Sequence, residues 1–125
     1  MDHAAILDGV ASQLDGIFET SEQPIYLYLD DTHKICNELF ASLLGYDSAE
    51  EWAAVDENFP TVFVGTESRN TLISAYQTAM QEAIASSIEV EWMKRDGGTV
   101  QTEVILVPIE YAGHRMALHF VTESS

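Results

Sequence analysis

The sequence predicts an α+β fold in which one antiparallel sheet carries its helices massed on one face. Three observations predict it. Two groups of period-two segments flank a run of helical ones, the order expected when strands gather into one sheet and helices into one layer. The apolar period switches from helical spacing to alternation near Ile88. Asp96-Gly97-Gly98 joins two alternating segments with the residues that a tight hairpin needs. At 125 residues the chain suits one domain with one real core.

Residues 3–20 read as an amphipathic helix. Leu7, Val10, Leu14 and Ile17 alternate spacings of three and four, with Phe18 widening the stripe and Asp8, Ser12, Asp15 and Glu19 on the other side. Gly9 and Gly16 each lower its intrinsic stability by about 1 kcal/mol relative to alanine, so the helix needs a surface to lie on. That surface is either its own domain or a second copy of the chain, joined through Leu7, Val10, Leu14 and Ile17. Residues 1–20 therefore form a capping or dimerisation helix, and residues 21–123 the domain proper.

Pro24 ends the helix, because the residue before a proline is held out of helical geometry. Ile25 to Leu29 alternates as a strand, with Ile25, Leu27 and Leu29 on one face and Tyr26 and Tyr28 on the other. Asp30-Asp31 turns the chain into a short return strand, Thr32 to Cys36. Asn37 is placed to cap a helix over 38–44, and Gly45 to stop it. Ser48 with Glu51 forms a capping box for a short helix through Trp52. Residues 58–65, punctuated by Pro60, read as irregular. The longest helix is expected over 66–86, where Leu72, Ile73, Tyr76, Ala79, Met80, Ala83 and Ile84 recur at helical spacing.

The last third is a meander. Ile88, Val90 and Trp92 alternate with Glu89 and Glu91. Residues 100–109 form a long strand that is apolar on both faces from Val104 to Val107, and residues 116–121 return through the Ala112-Gly113-His114 turn. The two-sided apolarity of the long strand implies a sheet covered on both sides. The middle helices supply one cover, and the N-terminal helix or a partner supplies the other.

Composition narrows the function. The chain carries 21 acidic and 5 basic residues, a net charge of −16. Phosphate contacts need clustered cations, so this balance argues against binding nucleic acid or anionic lipid. The acids are scattered rather than blocked. That favours a salt-rich, halophilic cytoplasm over an acidic patch for one basic partner. No apolar run is long enough to insert in a membrane, and the N-terminus lacks the pattern of a signal peptide, so a cytoplasmic protein is expected. Cys36 is alone, which excludes an internal disulfide.

Four segments in order resemble the PAS domains of signalling proteins. Residues 24–31, Pro-Ile-Tyr-Leu-Tyr-Leu-Asp-Asp, are similar to that family's first strand and acidic turn. Residues 37–46, from Asn37 to Gly45-Tyr46, resemble its asparagine-capped helix ending in Gly-Tyr. Ser48 to Trp52 follows as its next short helix does, and Glu91 to Thr99 resembles its hairpin, in which basic residues precede Asp-Gly. Two departures stand out. Thr32-His33 occupies the first turn where a glycine is usual, and Phe120-Val121-Thr122 lacks the aspartate of the family's closing Asp-Ile-Thr-like triplet. The resemblance implies a five-stranded antiparallel sheet enclosing a small cavity that receives a cofactor, a metabolite or nothing.

The resemblance also ranks cofactors. A flavin photosensor of this family needs a cysteine in an Asn-Cys-Arg-Phe-like helix, and Cys36-Asn37 inverts that pair, so Cys36 reads as a small buried hydrophobe. A haem sensor commonly uses a histidine of the long helix, and residues 66–86 contain none. His3, His33 and His114 fall in a terminus and two turns and read as solvated, and their spacing offers no metal motif. No nucleophile elbow or phosphate loop is present, and Glu89, Glu91 and Glu103 read as a solvated sheet face. Phe40, Phe63, Tyr76, Met80, Trp92 and His119 are the candidate ligand contacts. Tyr76 and Trp92 each bring one polar group to an apolar interior.

Three functions follow as expectations. The first is a sensory module that binds a small apolar or aromatic molecule, or pairs as a homodimer, and relays a change to an output domain. The chain's end just past the last strand is what a module cut from a longer signalling protein would look like. The second is a structural dimerisation domain with a filled core. The third is a small cone-shaped isomerase or dehydratase with His119 as its titrating residue; the first two are not enzymes.

Overall fold

The computed structural model describes residues 2–124. In chain order the elements are α1 (His3–Thr20), β1 (Ile25–Tyr28), β2 (Lys34–Cys36), α2 (Glu38–Leu43), α3 (Ala49–Ala53), α4 (Phe59–Phe63), α5 (Arg69–Glu82), β3 (Ser86–Met93), β4 (Thr99–Tyr111) and β5 (His114–Glu123). The strands form one antiparallel sheet in the order β2-β1-β5-β4-β3, so the first and last strands of the chain meet at its centre. Among the described residues no helix is long and apolar enough to cross a membrane.

Strand alternation sorts the side chains onto two faces. On the inner face Tyr26 stands opposite His119 and Tyr28 opposite Ala117, while Leu106 pairs with His119 from the other side. This face packs with Phe40, Trp52, Phe59, Phe63, Leu72 and Ala79 of the middle helices to form the main core. On the outer face Ile25, Leu27, Leu29, Met116 and Leu118 form a second buried cluster with Ile6 and Val10 of α1. The N-terminal helix is thus the cover of its own sheet. It lies over β1 and β5, and Ile105 of the long strand stays 44% exposed.

The buried stripe of α1 differs from the predicted seam. Ile6 and Val10 are buried, Leu7, Leu14 and Phe18 are half-buried, and Ile17 is 49% exposed. Ile6, Val10, Leu14 and Phe18 form a row spaced by four that lies on the outer face of the sheet.

Side-chain caps define the middle helices. Asn37 Oδ1 accepts from the N–H groups of Phe40 and Ile25, each at 3.1 Å, and its amide donates to the Gln23 carbonyl at 2.9 Å. One buried amide therefore starts α2 and ties it to β1. Ser48 accepts from the Glu51 N–H at 3.0 Å, while the Glu51 carboxylate accepts from Asp47 N–H and Arg95 instead of closing the box on Ser48. Residues 58–65, expected to be irregular, contain α4. Asn58 caps it, and Pro60 sits in its first turn, where a missing N–H costs nothing. α5 is shorter than the expected 66–86: Ala83 turns left-handed at φ 56° and ends it, because Ser86 already pairs with Leu106 in the sheet.

Lys34 is buried on the inner face. Its ammonium donates to the carbonyls of Asp31, Ala53 and Val55 and lies 5.4 Å from the centre of the Trp52 ring. Burial lowers its pKa, and nearby Asp31 opposes the shift. The charge serves the exposed carbonyls at the end of α3, the position where a cation complements the helix dipole.

Tyr111, at the end of β4, lies against Gly9, and a β-carbon on Gly9 would come within 3.0 Å of its ring and hydroxyl. Around Gly16 nothing stands within 4 Å. Gly16→Ala should therefore stabilise the protein by about 1 kcal/mol through helix propensity alone. Gly9→Ala should lose that gain to overpacking of about 1–3 kcal/mol. Equal and positive changes for both in urea unfolding would mean that α1 does not dock through Gly9.

Candidate functional site

Four elements meet around a cavity on the inner face. Tyr26 and Tyr28 come from β1, His119 from β5, Phe59 and Pro60 from α4, and Leu72, Ile73 and Tyr76 from α5. The cavity measures about 90 Å³. Ile73 stands 38% exposed at the rim.

The stack at its base is tight. The rings of Tyr26 and His119 lie 3.9 Å apart and within 9° of parallel, and Tyr26 is further enclosed by Phe40 at 4.7 Å, Phe59 at 5.6 Å and Trp92 at 5.5 Å. Tyr28 and Tyr76 meet edge to face at 5.3 Å. Such aromatic pairs add about 0.5–1.5 kcal/mol each beyond the area they bury, so the floor is rigid.

Polar atoms in this setting are few and incompletely paired. Tyr26 Oη, His119 Nδ1 and Trp52 Nε1 are buried with no partner among the described residues. Each such atom costs roughly 1–3 kcal/mol if left unmet. Tyr26 and His119 border the cavity, whereas Trp52 does not. Tyr28 donates to Asp31 at 2.8 Å.

The site is electrically neutral. Burial holds the His119 imidazole down to about 3, although backbone groups of Ala117 and Tyr26 oppose the shift. Burial likewise pushes the phenols of Tyr26, Tyr28 and Tyr76 up, so all three keep their protons. A neutral imidazole offers one donor and one acceptor, and a phenol offers both in one atom. The arrangement can orient an uncharged or weakly polar molecule. It is poorly suited to general base catalysis at neutral pH, because a base with a pKa near 3 binds protons too weakly to take one.

Of the six ligand contacts expected from the sequence, Tyr76 and His119 line this cavity. Phe40, Phe63 and Trp92 are fully buried in the surrounding core, and Met80 is half-buried beside it with its carbonyl accepting from Arg115 at 2.8 Å. Trp92 Nε1 donates to Thr102 Oγ1 at 2.8 Å, and Thr102 donates to the Val90 carbonyl at 2.9 Å, so its polar group is spent inside the sheet. Sequence reasoning missed Tyr26, Tyr28, Phe59 and Leu72. The alternation of β1 did set the two tyrosines on one face, and only the position of the helices decides that this face looks inward.

Cys36 is buried, and burial pushes its thiol up. Glu89 stands opposite Glu103 and Glu91 opposite Gln101 near the β3 edge, away from the cavity. His3, His33 and His114 are half-buried rather than solvated, and they converge at one end of the sheet.

No protein-family model matches the chain, and no curated protein matches it. Solved structures do. The PAS domain of an HTR-like protein from Haloarcula marismortui is 23% identical with a TM-score of 0.64, over 94% of this chain and 94% of that one. A PAS domain from a two-component sensor histidine kinase is 15% identical with a TM-score of 0.66, over 90% and 99%. A ligand and DNA complex of Vibrio cholera VqmA is 11% identical with a TM-score of 0.67, and 90% of this chain spans half of that one. At these identities the likeness is one of fold.

His119 gives the site a pH signature. Its pKa is about 3 when folded and 6.5 for an imidazole free in water, so as pH falls the unfolded chain takes the proton first. This contribution to stability is complete above about 6.5 and is lost as pH falls toward 3. Between about pH 7 and pH 5 the loss amounts to about 2 kcal/mol. Urea unfolding at those two values should show this component in the wild type and not in His119→Phe, which keeps a ring against Tyr26. Equal pH dependence in both proteins would mean that the imidazole titrates freely.

Proposed function

We propose that this chain, whose fold is that of PAS domains, is a sensory module of signal transduction that binds a small, weakly polar aromatic or apolar molecule between its sheet and α4–α5. The single observation that carries this reading is the pair of unpaired buried atoms, Tyr26 Oη and His119 Nδ1, beside an aromatic cavity. A ligand that draws these side chains toward the cavity would meet both atoms, and the rings would take its apolar part. A cavity of about 90 Å³ suits a molecule of few heavy atoms, and a larger one requires α4 or α5 to move outward. Relay to an output domain is part of the same reading, since binding against α5 and β5 would shift the elements that lead to the chain's end.

The neutral site speaks against the isomerase or dehydratase alternative. Cys36 does not line the cavity and α5 carries no histidine, so neither a cysteinyl flavin adduct nor haem ligation from that helix has its residue in place. The excess of acidic residues argues against nucleic acid, although the likeness to VqmA, which is seen with DNA, lends that exclusion no support. The same acidity fits work at high ionic strength, where charge repulsion is screened.

Native mass spectrometry of protein purified without reconstitution tests the reading. We expect a bound small molecule at one per chain, released on denaturation and weakened at least tenfold by Tyr26→Phe or His119→Phe. A binding-competent wild type whose affinity neither substitution changes would move the site elsewhere.

A second reading, homodimerisation, is favoured by the exposure of Ile17 and Ile105 at 49% and 44% on the outer face. Val10 is engaged with its own sheet, so a partner would meet Ile17 and Leu14 rather than the whole stripe. Removal of residues 1–20 would uncover Ile25, Leu27 and Met116, which makes point substitution the cleaner test. In sedimentation equilibrium Ile17→Asp and Ile105→Asp should each shift a dimer toward monomer. A dimer that both leave intact would use another face.

A further inference from the structure

We propose that His3, Asp30 and His33 form a binding site for a divalent transition-metal ion of the zinc class, with His114 supplying a fourth ligand. The residues come from three segments far apart in sequence: the first turn of α1, the β1–β2 turn and the start of β5. Their ligand atoms, for the first three, all lie within 4.8 Å of one another. His3 Nδ1 is 2.5 Å from Asp30 Oδ2, and His33 Nδ1 is 2.8 Å from Asp30 Oδ1. The His3 ring meets the His33 ring edge to face at 5.8 Å and the His114 ring at 5.9 Å.

Zinc holds imidazole nitrogen and carboxylate oxygen at about 2.0–2.2 Å, which sets neighbouring tetrahedral ligands about 3.4 Å apart. The His3 and His33 nitrogens now sit 2.5 and 2.8 Å from the Asp30 oxygens, so an ion inserted between them opens each contact by roughly 0.6–0.9 Å. The metal takes the place of these two hydrogen bonds.

The surrounding hydrogen bonds already orient the ligands. Asp30 Oδ1 accepts from the N–H groups of Thr32 at 2.9 Å and His33 at 2.7 Å, which fixes the carboxylate in the turn. His114 Nδ1 donates to the Ala112 carbonyl at 3.2 Å, which leaves Nε2 as its ligating atom, the outer partner that metal-bound histidines commonly have. Imidazole donors favour zinc, copper or nickel over magnesium and calcium. Occupancy would join the start of α1 to the turns at one end of the sheet and so hold the covering helix in place. This site is separate from the cavity and does not depend on it.

The test uses the untagged full chain, stripped with chelator and titrated with zinc chloride by calorimetry in excess magnesium. One saturable equivalent that magnesium does not displace is expected. His3→Ala and His33→Ala should each weaken it at least tenfold, since even outer-shell changes cost about that much. Zinc should also slow hydrogen exchange in α1, and cobalt in its place should give the visible absorption of a tetrahedral centre. Failure to take up one equivalent, displacement by magnesium, or unchanged affinity in the double His3→Ala, His33→Ala variant overturns the site. Wild-type imidazole NMR signals read the same question without any substitution: resonances of His3 and His33 that do not move with zinc also overturn it.

Discussion

The register between β1 and β5 is the constraint on which the rest depends. Pairing Tyr26 with His119 and Leu27 with Leu118 sends the aromatic and polar set to one face and the aliphatic set to the other. A slip of one residue would exchange the two faces throughout, leaving tyrosines under α1 and leucines against the aromatic core. Two devices hold the register. The β4–β5 turn carries Ala112 and Gly113 at positive φ, and Asn37 fastens β1 at Ile25 and Gln23 while starting α2. Both cores therefore follow from a pairing that closes only when the two ends of the chain meet.

Much of this was legible in the sequence because local chemistry agreed with the global fold. The Asn37 and Ser48 caps, the Gly45 stop and the Asp96-Gly97-Gly98 hairpin each name their own geometry. What escaped was decided at a distance. α4 looked irregular because Pro60 reads as a breaker until Asn58 is seen to place it in a first turn. α5 ends at Ala83 with neither glycine nor proline to announce it, since pairing of Ser86 with Leu106 overrides helix propensity. Tyr26 and Tyr28 were visible as a pair but not as a wall, because nothing in a strand says which of its faces the helices will choose. The histidines at positions 3, 33 and 114 have no spacing signal at all, and only the fold makes them neighbours.

The interior divides its polar groups into two kinds. Lys34, Asn37 and Thr102 are buried and satisfied: each closes carbonyls or N–H groups that the backbone would otherwise leave open. Tyr26 and His119 are buried and unsatisfied, yet they are the most closely stacked rings in the core. The paired groups tie the scaffold together, whereas Tyr26 and His119 are held by ring packing alone.

The contact of Gly9 with Tyr111 bears on how the N-terminal helix can move. A ring seated where a β-carbon would be acts as a detent. Alanine or larger residues flank Gly9 on both sides, so creeping by one turn drives a side chain into the ring. Gly16, seven residues on, is the next notch, about 10 Å along the helix axis. Small sliding is therefore closed to this helix. The helix rests in this notch as long as the Tyr111 ring holds its place.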